Sequence, residues 1–290
     1  MLNLILAVVS SSLLAIILRF SETKKTTTYG VCLFNYLTCC VEGYFFTGGG
    51  NPFAVSLPVL GVSVLTGAAL LVSLALYKVN IANNGTVLSA VFSKLGILIP
   101  TLLSFTVFGE KADALQFIGI AIAVAAILVI NLGKGKDRKA KAENEKGSKL
   151  AFLTHGAFAL VFLMVIGGMC DSMSKIYEYT CPRDYDDKYL FLGFFFAAVI
   201  TFIMLILKRE RIRLFDIIFG VLVGIPNYFV SRFLLKALVD IPAFIVYPSY
   251  SVGTVVLITV LSLVIFKEKL RKNQIIGIVM ILASLVLLNV

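Results

Sequence analysis

FGEKADALQFIGIAIAVAAILVIN, residues 108–131, and FKEKLRKNQIIGIVMILASLVLLN, residues 266–289, read as two copies of one segment. At an offset of 158, without gaps, Phe108 pairs with Phe266, Glu110 with Glu268 and Lys111 with Lys269. Gln116 pairs with Gln274, Gly119 with Gly277 and Asn131 with Asn289 in the same register. Apolar matches arise easily in an apolar chain, whereas polar matches at four positions of one register do not. The chain is therefore expected to be a duplicated unit.

Composition sets the class. The 290 residues are 59% hydrophobic and 14% charged, with mean hydropathy +0.98. A soluble domain carries about 25% charged residues. The apolar residues fall in runs close to the ~20 needed to cross a bilayer. Ten spans are expected, at 2–18, 29–46, 53–77, 81–107, 113–132, 150–174, 188–207, 214–235, 241–266 and 273–290. The opening MLNLILAVVSSSLLAIIL has no basic segment before its apolar run, so it reads as the first span rather than a signal peptide. The stretch GKGKDRKAKAENEKGSK, residues 133–149, has no apolar run and reads as a basic hydrophilic linker. It separates a first five-helix repeat, 1–132, from a second, 150–290. No other loop is long enough to hold a soluble domain.

Five spans per unit, an odd number, put the two copies in opposite orientations. The expected fold is thus all-α and membrane-integral, with ten transmembrane helices in two inverted five-helix repeats. Loop charge agrees. Loops 1–2, 3–4, 5–6, 7–8 and 9–10 hold 19 Lys and Arg, whereas the other loops, counting Lys188 at the edge of span seven, hold 5. The positive-inside rule then puts the linker in the cytoplasm and both termini outside. The net charge of +10 is mostly this topology signal. Nucleic-acid binding is a poor reading, because the basic residues sit in short loops at helix ends.

Metal chemistry has little to stand on. There are five cysteines (Cys32, Cys39, Cys40, Cys170 and Cys181) and one histidine, His155, with no CxxC pair. No zinc or iron–sulfur ligand set is expected, and no cofactor. Cysteines in apolar helices serve chiefly as small packing residues. Cys170 and Cys181 are close enough in sequence to pair in an oxidising compartment.

An apolar helix, then G-E-K or K-E-K, then a Q-x-x-G helix, once per half, resembles the EamA-like members of the drug/metabolite transporter superfamily. The first copy fits at Gly109, Glu110 and Gly119, while the second has Lys267 where Gly is usual. The resemblance extends over nearly the whole chain. It implies a secondary transporter with a central cavity between the halves, lined mainly by the third, fourth, eighth and ninth helices. It also implies relatives that export amino acids and related metabolites or carry nucleotide sugars, and members often drawn with cytoplasmic termini, against the charge count here.

The motif residues have a structural reading of their own. Glu110 and Glu268 are each expected to open a helix, where the positive dipole end favours a carboxylate. Gly119 and Gly277 allow close helix approach.

Ionisable residues inside spans are the better functional candidates, because each must find a partner or water. Lys94 is expected halfway along span four, Glu42 near the outer end of span two, Asp171 and Lys175 at the outer end of span six, and Arg232 in the outer half of span eight. Lys175 and Lys236 can extend to the interface, and Asp171 can pair with Lys175 one turn away. A midplane lysine reaches neither surface, so Lys94 is assigned a cavity role, with a buried structural ion pair as the alternative. The offset carries Ser93 to Ser251, within FIVYPSYSVG of span nine. There Pro248 is expected to break or kink the helix beside Tyr247 and Tyr250. Span eight adds Gly224, Pro226, Asn227 and Tyr228, read as a second interrupted helix.

The resulting picture is a cation facing tyrosine rings and hydroxyls. Lys94, Ser93, Asn227, Tyr228, Tyr247, Tyr250, Ser251 and Arg232 are the candidate substrate residues, and Glu42 and Asp171 the candidate coupling or counter-charge groups. Such a set suits a small polar solute, an amino acid or related organic anion or zwitterion, moved by alternating access. A multidrug or nucleotide-sugar carrier of the same fold is the alternative, followed by a non-transporting scaffold or receptor. An enzyme is not expected, with one His and scattered acids. No GxxxxGK[ST] loop occurs, so ATP-driven pumping is not expected either. Proton coupling, exchange and uniport all stay open. The expected setting is a bacterial plasma membrane, with the bilayer and a small-molecule substrate as partners, no nucleic acid, and a homodimer left open.

Overall fold

The structure, a computed structural model, describes residues 1–24, 26–48, 50–97, 99, 114–131, 156–240, 243–268 and 270–287. These residues form ten α-helices and two short 3₁₀ turns. In chain order the helices are α1 (Leu2–Thr23), α2 (Thr28–Phe46), α3 (Leu57–Asn84), α4 (Thr86–Lys94) and α5 (Ala114–Asn131). They continue with α6 (Gly156–Thr180), α7 (Asp186–Lys208), α8 (Leu214–Asp240), α9 (Ala243–Ile265) and α10 (Lys272–Leu287). Each expected span thus has its helix. The linker 133–149, and with it the boundaries drawn on either side of it, lies outside the described residues, as does Glu110.

Helices are forced on such a chain, since lipid offers no hydrogen bonds to the backbone. Four helices, Leu2–Thr23, Leu57–Asn84, Asp186–Lys208 and the Leu214–Leu234 part of α8, are long and apolar enough to cross a membrane. Hydroxyls within the apolar helices bond their own helix one turn back. Ser12 donates to Val8 O, Ser63 to Val59 O, Ser172 to Gly168 O and Thr201 to Ala197 O.

The halves interleave. Helix α8 packs on α1 and α2, α7 on α2 and α3, and α6 on α3 and α4; α9 packs on α1 and α4, and α5 on α10. Small residues permit the close approaches. Cβ atoms added at Gly220 and Gly224 of α8 would run into Phe34, Asn35 and Thr38 of α2. Ser284 of α10 donates to Gly119 O of α5 at 2.7 Å, joining the two motif helices through the first motif glycine.

Two details differ from the sequence reading. Helices α8 and α9 run through Pro226 and Pro248 without a break, so neither is an interrupted helix. A transmembrane helix tolerates proline where its neighbours hold it and the freed carbonyl is re-satisfied. The interruption is instead in the fourth span. Helix α3 runs on to Asn84 and stops at Gly85, whose φ of +85° lies in the region that favours glycine. Helix α4 is nine residues long and passes into a 3₁₀ turn, Leu95–Ile97, directly after Lys94. All five cysteines are free.

Candidate functional site

Helix α4 brings the main candidate into position. Beyond Lys94 the chain tightens, and Gly96 comes against Gly168 of α6, where an added Cβ would lie 2.7 Å from Gly168 N. Gly167 of the same pair faces Ser93. This glycine contact draws the end of α4 onto α6 and sets Lys94 within electrostatic reach of Asp171, one turn beyond Gly167. On the other side the Lys94 ammonium lies 3.9 Å from the centre of the Tyr250 ring. That ring is buried among Leu4 and Ala7 of α1 and Ala237 of α8, with Val246 of its own helix. Its face is thus fixed for a cation, an interaction worth about 0.5–2 kcal/mol depending on desolvation.

Asp171 is the unusual member. It is exposed, although protein packs densely around it. No hydrogen bond or ion pair holds it among the described residues, so Lys94 and Asp171 are near neighbours without being a closed pair. Ser251, beside Tyr250, is buried. The side chains of Tyr247 and Lys175 lie outside the description. Glu42 is half-buried, with Oε2 enclosed and lacking a hydrogen-bond partner.

The remaining candidates are engaged elsewhere. Asn227 donates to Asn35 Oδ1 at 3.1 Å, tying α8 to α2. Tyr228 is fully buried, its ring stacked on Phe46 at 5.6 Å. Arg232 donates to Asp187 at 2.7 Å and to the Tyr228 hydroxyl at 3.3 Å, and lies 3.6 Å over the Phe46 ring. These three hold α2, α7 and α8 together. Lys236 is exposed.

Glu268, expected at the start of its own helix, reaches across to another. Its Oε1 accepts from Thr86 N at 2.9 Å and its Oε2 from Val87 N at 3.4 Å, capping α4. Arg19 Nε of α1 lies 3.7 Å from Oε1. The attraction of a carboxylate to a helix N-terminus holds, but the helix belongs to the other half of the chain. Gly277 is buried in α10. Two residues were missed in the sequence. Lys78, assigned there to a loop, is 2% exposed within α3 and paired with Glu22. Tyr77, next to it, packs against Ala15, Ala90 and Ile258 at the centre of the bundle. The stop signal N-N-G at 83–85 extends the third span past both. Among the described residues no cluster of His, Cys, Asp and Glu could hold a metal ion.

A bundle of apolar helices with a few charges buried inside it fits a membrane protein, and likeness to known proteins bears on its kind. Residues 156–290 match the EamA-like transporter family. The EamA-like match supports a membrane transporter of the drug/metabolite type and an integral, multi-pass membrane protein. Members of the EamA family are transporters rather than enzymes. An uncharacterized protein of Haemophilus influenzae is 24% identical, over 98% of this chain and 96% of its own length. A protein of known crystal structure shares the fold, with a TM-score of 0.63 at 16% identity, over 99% of this chain and 94% of its own.

Proposed function

We propose that this chain is a secondary transporter that holds a small zwitterionic or anionic solute between Lys94 and Asp171 and moves it by alternating access between two inverted repeats. One observation carries the reading: an ammonium laid on a tyrosine face within electrostatic reach of an accessible carboxylate that has no hydrogen bond or ion pair among the described residues. Ionised groups inside a membrane protein need partners. A solute carrying both charges supplies them, its carboxylate to Lys94 and its ammonium to Asp171. Tyr250, Ser251, Ser93 and Tyr247 orient it. Asn227, Tyr228 and Arg232 shape the opposite end of the bundle, and Glu42 and Asp171 are the groups available for coupling.

Support for the repeat comes from how the helices pair. Exchanging each helix for the one five places along turns the α1–α8 contact into α3–α6, α2–α8 into α3–α7 and α1–α9 into α4–α6. All six contacts occur, and α2–α7, α4–α9 and α5–α10 map onto themselves. Support for the topology comes from the polar ties that draw the described basic loops, 1–2, 7–8 and 9–10, and the break at Gly85 to one end. That end, the linker side, is proposed as cytoplasmic, with both termini outside and the repeats spanning 1–132 and 150–290. The setting is a bacterial plasma membrane, in line with the Haemophilus relative.

The test is reconstitution in liposomes with labelled amino acids, organic anions, nucleotide sugars and lipophilic cations. Saturable flux of an amino acid or organic anion is expected. Flux of lipophilic cations alone would move the site to the aromatic end at Phe46, Tyr228 and Arg232, and flux of nothing in the panel would favour the scaffold.

A further inference from the structure

Helix α4 has the site at one end and a cross-half contact at the other. Nine residues span about 13 Å, from Thr86, held by Glu268, to Lys94, held on Tyr250. The helix is bounded by glycines. Gly85 takes its positive φ where the Glu268 carboxylate arrives, and an added Cβ would lie 3.3 Å from Oε2. Gly96 ends the rod against Gly168. A short rigid helix between two such points can tilt as a unit.

Unpaired buried hydroxyls on α4 and α9, the two helices that meet at one seam, supply a second observation. Tyr250, Thr254, Ile258 and Ser262 recur every four residues along α9, a row that winds slowly round the helix. Thr254 and Ser262 are fully buried, and their hydroxyls have no hydrogen-bond partner. The Thr86 hydroxyl at the start of α4 is in the same condition. Enclosed, unpaired polar groups are costly in a native interior and call for an explanation. Here they run from the site towards the linker side. They would be satisfied if that seam opened to water.

We infer that Glu268 is the gate residue of the linker side. Its cap on α4, with the Arg19 contact, holds the α4–α9 seam shut beneath the site. Release of the cap lets α4 tilt about Gly85 and Gly96, wets Thr86, Thr254 and Ser262, and opens a route from Lys94 to the linker side. Glu268 positions α4 and need not touch the solute. The inference rests on the proposed site only for what the route serves.

The test is sided labelling of the full chain in native membranes, on a cysteine-free background, with an impermeant maleimide. Thr254→Cys reports the linker side and Asp171→Cys the opposite side. With Glu268 intact, Thr254→Cys is expected to be unreactive from the linker side. Glu268→Ala should speed its labelling about tenfold while slowing that of Asp171→Cys from the opposite side, as expected for loss of a charged cap. Unchanged labelling, or a rise on both sides together, overturns the gate, because general loosening exposes both. If Glu268→Ala does not accumulate, Glu268→Gln is read in its place, with the same opposed changes at about threefold. No change there overturns the gate equally. Failure of the site is read separately, from transport by Lys94→Met.

Discussion

The two ends of the bundle are closed by different chemistry. At the linker side, carboxylates of the second half take the helix starts of the first. Asp216, fully buried in the first turn of α8, accepts from Thr27 N at 2.7 Å and from the Thr27 hydroxyl at 3.0 Å, at the start of α2. Glu210 accepts from Tyr29 N at 3.2 Å, and Glu268 caps α4. At the opposite end the cross-half contacts are largely aromatic, Phe46 on Tyr228 and Phe53 against Phe191 and Phe195, with two neutral or single-charge hydrogen bonds beside them, Lys188 to Ala54 O at 3.1 Å and the Thr66 and Tyr189 hydroxyls 3.0 Å apart. The ion pair there, Arg232 with Asp187, lies within the second half. Directional polar contacts fix one geometry and fail together, whereas apolar faces slide and repack. The difference suits the proposed carrier at rest with its linker side latched and its other side free to admit solute.

The contrast can be broken most severely at Lys78. Its pair with Glu22 is the most buried charge contact among the described residues, and Lys78→Met leaves the Glu22 carboxylate without its ammonium. A loss of about 3–5 kcal/mol is expected, seen as a lower melting temperature in detergent. Asp216→Ala comes next. It strands the Thr27 N–H at the start of α2, and the Arg213 N–H that Asp216 also accepts at 2.8 Å. The expected cost is about 2–3 kcal/mol, in the same melting assay. Gly168→Ala puts a methyl group on Gly96 O and pushes α4 from α6. About 1–3 kcal/mol is expected, with transport falling further than stability because Lys94 moves with α4. Arg232→Ala, at the opposite end, is expected to cost only about 1 kcal/mol, since Asp187 is 48% exposed and its pair is solvent-screened. A larger effect at Arg232 than at Asp216 would erase the distinction between the two ends.

Much of the fold was legible because lipid allows few alternatives. Runs of apolar residues become helices, and each of the ten expected spans has one. The site was legible only in part. Lys94 stood out as a charge with no route to water, and Tyr250 followed from the repeat. What set Lys94 beside Asp171, the contact of Gly96 with Gly168, is a pair of small residues in two separate segments, which sequence spacing within either segment cannot report. The prolines misled for the converse reason. Pro226 and Pro248 mark local strain, but whether a helix breaks is decided by its neighbours, and here they hold it. Lys78 was passed over because a span of ordinary length ends before it. Only N-N-G at 83–85 signals the longer helix.

The central claim is that Lys94 binds the transported solute, and the most direct measurement is solute flux in liposomes for Lys94→Met beside the unaltered protein. The substitution keeps the stem and removes the charge. A fall of at least about tenfold is expected with folding intact, since a lost charge-assisted hydrogen bond costs about 1.5–3 kcal/mol. Normal flux through Lys94→Met would contradict the claim.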